Sequence, residues 1–193
     1  MKLNTREGEV ILRRATGEDA CPFIIYMNKI ASETNYLTFG EGEYKAEVEN
    51  QKKMIISSLE SENQLFLLAI NKGEIVGHLI FRGGTRARTR HSGEIGMAVI
   101  SEFWGLGIGS ELIRYLFRWI KQNEIIRKVN LRVRADNTLA IKLYRQMGFQ
   151  IEGIIEKDLY IEILISTVIL WADVSTFNTL SLRRGTPLPF NKY

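Results

Sequence analysis

The sequence predicts an α/β protein, a mixed central β-sheet flanked by helices. Three observations carry that expectation. Segments with helical apolar spacing interrupt short apolar runs in the order β-α-α-β-β-β-α-β-α-β-β. One junction, Val99 to Leu112, joins an apolar strand to an amphipathic helix through a glycine-spaced turn. The chain of 193 residues is 45% hydrophobic and 25% charged, which suits one domain with its own core.

Val10 to Arg13 reads as a short strand. Thr16 and Asp19 form an acidic variant of the capping box, opening a helix over Glu18 to Ala31. Ser32 to Gly42 reads as a loop presenting Tyr36, Leu37 and Phe39. Tyr44, Val48, Ile55 and Leu59 recur at helical spacing, so a second helix is expected over Glu43 to Ser58. Gln64 to Ile70 is apolar without alternation, as in a strand buried on both faces. Asn71-Lys72-Gly73 turns the chain, and Glu74 to Phe81 pairs back.

Gly83-Gly84 and an arginine run lead to a strand over Glu94 to Ile100. The helix after the glycine turn buries Leu112, Ile113, Leu116, Phe117 and Ile120. Val129 to Ala135 is the next strand. Thr138 to Met147 is a short helix, and Gly148 stands where a left-handed residue would stop it. Ile151 to Tyr160 and Ile163 to Trp171 close the sheet.

The composition excludes several classes of function. One cysteine, Cys21, forms no internal disulfide, and with only His78 and His91 the chain offers no zinc cluster. No run approaches ~18 apolar residues, so no membrane partner is expected. Met1 to Glu9 is polar and lacks a signal-peptide apolar stretch, so a cytoplasmic location is the expectation. The net charge of +4 is a weak argument for nucleic acid. Arg82, Arg86, Arg88 and Arg90 lack interleaved aromatics. They read as a solvated turn or a phosphate-facing patch, and no nucleic-acid partner is expected.

A strand-turn-helix junction aims several backbone N–H groups at one spot, where the helix dipole favours an anion. Trp104-Gly105-Leu106-Gly107-Ile108-Gly109-Ser110 has no lysine, so it is not a triphosphate P-loop. Its third glycine comes one residue too early for a dinucleotide fingerprint, and the next strand ends in Arg134 rather than a ribose-binding carboxylate. One strand later comes Asn137-Thr138-Leu139-Ala140-Ile141-Lys142-Leu143-Tyr144-Arg145-Gln146-Met147-Gly148-Phe149. The pair of motifs resembles the GNAT superfamily of N-acetyltransferases, with its [QR]-x-x-G-x-[GA] turn and N-x-x-A-x-x-L-Y-x-x-x-G-F segment. Trp104 departs from the family's Arg or Gln.

The resemblance implies a GNAT domain over residues 1–171, whose mixed sheet holds a splayed pair of parallel strands, and a tail over 172–193. That tail is a stretch a homodimer would use. The implied activity is direct acetyl transfer from acetyl-CoA to a primary amine, either a peptide N-terminus or a small-molecule amine. A catalytically silent acyl-CoA-binding module acting through a protein partner is the alternative. By the resemblance, Met97, Ala98, Val99, residues Trp104, Gly105, Leu106, Gly107, Ile108, Gly109 and Ser110, and Asn137, Ala140 and Tyr144 hold the cofactor. Asn137 equally reads as a helix cap.

Tyr144 is the expected general acid toward the leaving sulfur, and Glu94 the expected base. A later-strand Glu used by ribosomal-protein relatives is Arg132 here. Glu33, Tyr36, Phe39 and Glu41 are acceptor-side candidates, where carboxylates would favour a cationic amine. Asp158, Tyr160 and Glu162 in the last hairpin are further ones. No metal site is expected.

Overall fold

The computed structural model describes residues 1–161 and 163–173. Eight strands form one sheet: β1 (Lys2–Thr5), β2 (Gly8–Arg14), β3 (Gln64–Asn71), β4 (Glu74–Gly83), β5 (Ser92–Val99), β6 (Lys128–Arg134), β7 (Gln150–Ile161) and β8 (Ile163–Asp173). Their spatial order is β1-β2-β3-β4-β5-β6-β8-β7. Every neighbouring pair is antiparallel except β5 and β6, which run parallel. Four helices complete the fold: α1 (Ala20–Glu33), α2 (Val48–Glu60), α3 (Ile108–Gln122) and α4 (Thr138–Gln146). This is the expected mixed sheet flanked by helices.

Side-chain alternation along the strands assigns the layers. On one face, Phe66 and His78 meet Phe23 of α1, with ring centroids 4.9 Å and 5.3 Å apart. On the other, Phe81 meets Trp119 of α3 at 5.9 Å. The core therefore lies in two layers, one on each side of β3 and β4. Leu65 to Ala69 are buried without alternation because both faces are covered.

The structure departs from the sequence reading in two places. Lys2–Thr5 is an edge strand paired with β2, and the Met1 amine donates to Leu12 O at 2.8 Å. The second helix begins at Val48 rather than Glu43. Residues 40–45 turn instead: Glu43 N bonds Gly40 O, and Gly42 takes φ +73°. Tyr44 reaches the core from that turn, packing on Phe23 and Phe39 and donating to Gln51 Oε1 at 2.9 Å. Its apolar spacing to Val48 was tertiary packing, not helix. The buried face of α2 is Gln51, Ile55 and Ser58, whereas Val48 and Leu59 are exposed.

The acidic N-terminal signal of α1 is present, although its first turn is a 3₁₀ turn over Gly17–Asp19. Asp19 accepts from Thr16 N and from both Nη atoms of Arg13, each at 2.7 Å. Burial works to raise the Asp19 pKa, but these bonds hold it below the ordinary value. The arginines at 86, 88 and 90 are exposed on the β4–β5 connection, where Arg90 meets Glu62 at 3.3 Å. Among the described residues, no helix is long and apolar enough to cross a membrane. Glu162 and residues 174–193, most of the expected tail, lie outside the described residues.

Candidate active site

The parallel pair forms a wedge. Its pairing runs over Ser92↔Lys128, Gly93↔Val129 and Glu94↔Asn130 and then stops. Beyond that point β5 stays with β4, and β6 stays with β8 as far as Arg134↔Thr167. Asn130 sits at the parting point, where its Nδ2 donates to Ser92 Oγ and Gly93 O at 2.9 Å and 3.2 Å. A cleft of about 730 Å³ opens between the diverging strands.

Backbone parity decides what β5 presents to the cleft. Ile100 N bonds Val76 O and Gly84 N bonds Ser92 O, so the even-numbered residues of β5 turn their polar groups toward β4. The odd-numbered residues turn theirs toward the gap. Past the parting point these are Ile95, Met97 and Val99. The Val99 carbonyl is taken by Trp104, whose Nε1 donates to it at 2.6 Å. The N–H groups of Met97 and Val99 and the Met97 carbonyl have no partner among the described residues. An added Cβ at Gly96 would meet nothing within 4 Å.

At the end of β5 the chain makes a 3₁₀ turn over Ser101–Phe103 and enters the glycine turn. Gly105 and Gly107 have φ +74° and +82°, which only glycine adopts without strain. Gly109 has a different task. A Cβ there would lie 3.0 Å from Leu143 Cδ2 and 3.5 Å from Met97 Cε, so its smallness brings α3 close to α4 and β5. Gly107 caps α3 without a side chain, and the first helical bond is Glu111 N to Gly107 O. The N–H groups of Ile108, Gly109 and Ser110 have no partner among the described residues. With the helix dipole they form an anion cradle.

Helix α4 closes the cleft from the side. Asn137 caps it by accepting from Ala140 N at 3.1 Å. Its far end is a Schellman motif: Phe149 N bonds Tyr144 O, Gly148 N bonds Arg145 O, and Gly148 has φ +90°. That ending fixes Tyr144, which is 6% exposed and packs edge-on against Phe149 at 5.7 Å. Its hydroxyl has no hydrogen-bond partner among the described residues, and burial pushes its pKa up to about 12.

A clamp that the sequence reading missed holds the mouth of the cleft. Arg134 Nε and Nη2 bond the two oxygens of Asp136 at 3.0 Å and 2.6 Å. Its Nη1 donates to Asn35 O, and its guanidinium lies 5.0 Å from the centre of the Tyr36 ring. The hydrogen bonds to Asp136 raise the Arg134 pKa, and the Asp136 pKa falls correspondingly. The α1–α2 loop is thereby tied to the end of β6. The i, i+2 spacing of the two charges was visible in the sequence, but their contact with residues 35 and 36 was not.

Residues 26–149, more than half of the chain, match the family model described as "Acetyltransferase (GNAT) family". The chain belongs to the GNAT family. Among curated relatives, the L-amino acid N-acetyltransferase AaaT of Escherichia coli (strain K12) is 34% identical over 87 residues, covering 45% of this chain and 54% of that protein. The chain thus spans about half the length of that relative. An N-alpha-acetyltransferase of Sulfurisphaera tokodaii is 25% identical over 66% of this chain and 72% of its own length. A GNAT-family acetyltransferase structure from Streptococcus pneumoniae superposes with TM-score 0.83 at 28% identity, covering 85% of this chain and 98% of its own.

Most residues predicted for the GNAT cofactor site surround this cleft. Met97, Ala98, Val99, Trp104, Gly105, Gly107, Ile108, Gly109, Ser110, Asn137, Ala140 and Tyr144 line it, as does Tyr36. Leu106 packs against the core instead. The polar backbone groups of Ala98 face β4, and its carbonyl accepts from Tyr26 Oη at 2.9 Å. The Tyr26 hydroxyl also lies 3.1 Å from Nδ1 of buried His78. Desolvation lowers the His78 pKa to about 3.

The acceptor-side candidates scatter. The Glu33 carboxylate accepts from Ser101 N and Oγ at 2.9 Å and 3.0 Å, pinning the 3₁₀ turn. Phe39 packs on Tyr44, and exposed Glu41 lies outside the lining. Glu94 also lies outside the lining, but its Oε2 is 3.9 Å from Nε of Arg132, which does line it. Asp158 joins the lining from β7, where the register shifts between Ile155 and Leu159 and Lys157 takes φ +54°. Such a bulge re-aims side chains.

Proposed function

We propose that this protein is an N-acetyltransferase that moves the acetyl group of acetyl-CoA directly to an α-amino group. The observation that carries the proposal is the row of free β5 backbone groups between the anion cradle and Tyr144. The cradle fits a pyrophosphate, and the narrow, partly apolar gap fits the arm that joins it to a thioester. Acetyl-CoA, when bound, supplies the activated thioester carbonyl.

The chain's own groups do the rest. N–H groups of Ile108, Gly109 and Ser110 hold the diphosphate. The free N–H groups of Met97 and Val99 orient and polarise the carbonyl. Tyr144 gives its hydroxyl proton to the departing sulfur. Glu94, beside Arg132, takes the acceptor's proton through water. Cys21 is exposed on α1, and no thiol is among the residues lining the cleft, which supports transfer without an acyl-cysteine.

The acceptor class follows from the weakness of the base. A peptide α-amine with pKa about 7.7–8.0 costs roughly 1 kcal/mol to neutralise at pH 7, a free amino acid somewhat more because its carboxylate raises the amine pKa, and a lysine-like amine at 10.4 about 5 kcal/mol. Tyr144 with a pKa of about 12 is an acid, and Glu94 stands outside the cleft wall. Both curated relatives carry names that fit α-amine acetylation, one of amino acids and one at an α-amine. The test is thiol release from acetyl-CoA with a panel of amines and mass detection of product. Acetylated α-amines are expected. Tight acetyl-CoA binding with no product from any amine would refute the proposal and favour a silent binding module.

A further inference from the structure

Among the described residues lining the cleft, Arg132 is a guanidinium whose terminal nitrogens make no hydrogen bond. Arg132 follows Asn130 on the same face of β6, just past the point where the strands part. Its side chain is half exposed and lines the cleft. Only its Nε approaches a partner, Glu94, at 3.9 Å. Nη1 and Nη2 have no hydrogen bond among the described residues. Arg134, one step further along the same face, has each of its three nitrogens bonded to Asp136 or Asn35.

A second group also lacks a partner. Thr167 on β8 pairs with Arg134, so it shares that face, and it lines the cleft. It is 3% exposed, and its Oγ1 bonds nothing in the described chain. A buried hydroxyl without a partner costs free energy until something fills its bonding capacity.

The charge of the lining points the same way. Lys142 and Asp158 balance in the lining, and Asp136 neutralises Arg134, so Arg132 is the lining cation whose terminal donors are left open. Glu33, which would have welcomed a polycation, is occupied by Ser101.

We propose that the acceptor is a free α-amino acid whose carboxylate is held by the two Nη atoms of Arg132, with Thr167 Oγ1 as a second polar contact. A guanidinium fork matches a carboxylate with two parallel bonds. A peptide N-terminus bears an amide where this site expects a charge. The inference rests on the α-amine acetyltransferase reading and narrows its substrate.

The test compares L-amino acids with their methyl esters, their amides and short peptides, using acetyl-CoA and mass detection. With rates expressed per neutral amine, because an ester or amide lowers the pKa of the amine beside it, the free acids should exceed their esters about 10- to 100-fold in kcat/KM, carried mainly by KM. Arg132→Ala should bring that ratio near one, and Arg132→Lys should restore part of it. Esters or peptides used as well as the acids would overturn the inference while leaving α-amine acetylation standing. So would an acid-to-ester ratio unchanged in Arg132→Ala. Absence of product from every amine would instead overturn the acetyltransferase reading, and this one with it.

Discussion

Tyr144→Phe separates the chemistry of this site from its architecture. Tyr144 is buried, its hydroxyl has no hydrogen-bond partner among the described residues, and burial holds its proton to a pKa of about 12. A free thiol has a pKa of about 8.5. The gap of about 3.5 units makes proton delivery to a solvated thiolate uphill by about 5 kcal/mol. The transfer is feasible only where the sulfur is as dry as the phenol, which raises the basicity of the thiolate. Removing the proton should therefore lower kcat by roughly 10²- to 10⁴-fold. Because the hydroxyl makes no hydrogen bond among the described residues, stability should change by less than about 0.5 kcal/mol. The assay is thiol release under saturating acetyl-CoA and amine, paired with a thermal melt. A kcat within threefold of the parent would refute the acid role. A large fall in Tm would show that the hydroxyl supports the fold.

Four other outcomes follow from the same structure. Asn137→Ala should cost about 1 kcal/mol of stability by uncapping α4, with acetyl-CoA affinity by calorimetry little changed. Gly107→Ala forces an L side chain to φ +82°, costing about 1–2 kcal/mol and weakening coenzyme A binding, read by melt and titration. His78, with a folded pKa of about 3 against 6.5 unfolded, stays neutral in the fold while the unfolded chain takes up a proton. Its contribution is complete above pH 6.5 and is lost as pH falls toward 3. At pH 5 the loss is about 2 kcal/mol, so denaturant melts of His78→Gln should be less sensitive to acid. Asp136→Ala strands the Arg134 guanidinium, 8% exposed, and should cost about 1–3 kcal/mol and speed proteolysis of the loop at residues 34–37.

The part of the cleft proposed for the donor was legible as structure because it is local. The glycines at 105, 107 and 109, the cap at Asn137 and the stop at Gly148 are positional signals that backbone geometry demands of nearby sequence. The acceptor half was not, because it is assembled from distant chain. Glu33 looked like an exposed loop carboxylate, and only the fold brings Ser101 to it from 68 positions away. Arg134 and Tyr36 meet only because the loop after α1 reaches the end of β6. Tyr44 misled the reading of α2 because packing on Phe23 and helical spacing leave the same mark in a sequence. The edge strand β1 is four residues long, too short for alternation to register.

The stretch from Met97 to Ser110 works as a ruler. It carries the N–H groups proposed for the carbonyl and those proposed for the diphosphate on one unbroken length of chain, and the Trp104 indole ties its two parts together. The spacing between the two ends of the donor is therefore written into consecutive residues. The acceptor's spacing depends on how β6, β8 and the α1–α2 loop settle against one another. Heat or denaturant that loosens tertiary contacts should blur the choice of amine before it releases the donor. Drift in acceptor preference across a protein family can then proceed while the grip on the donor stays in register.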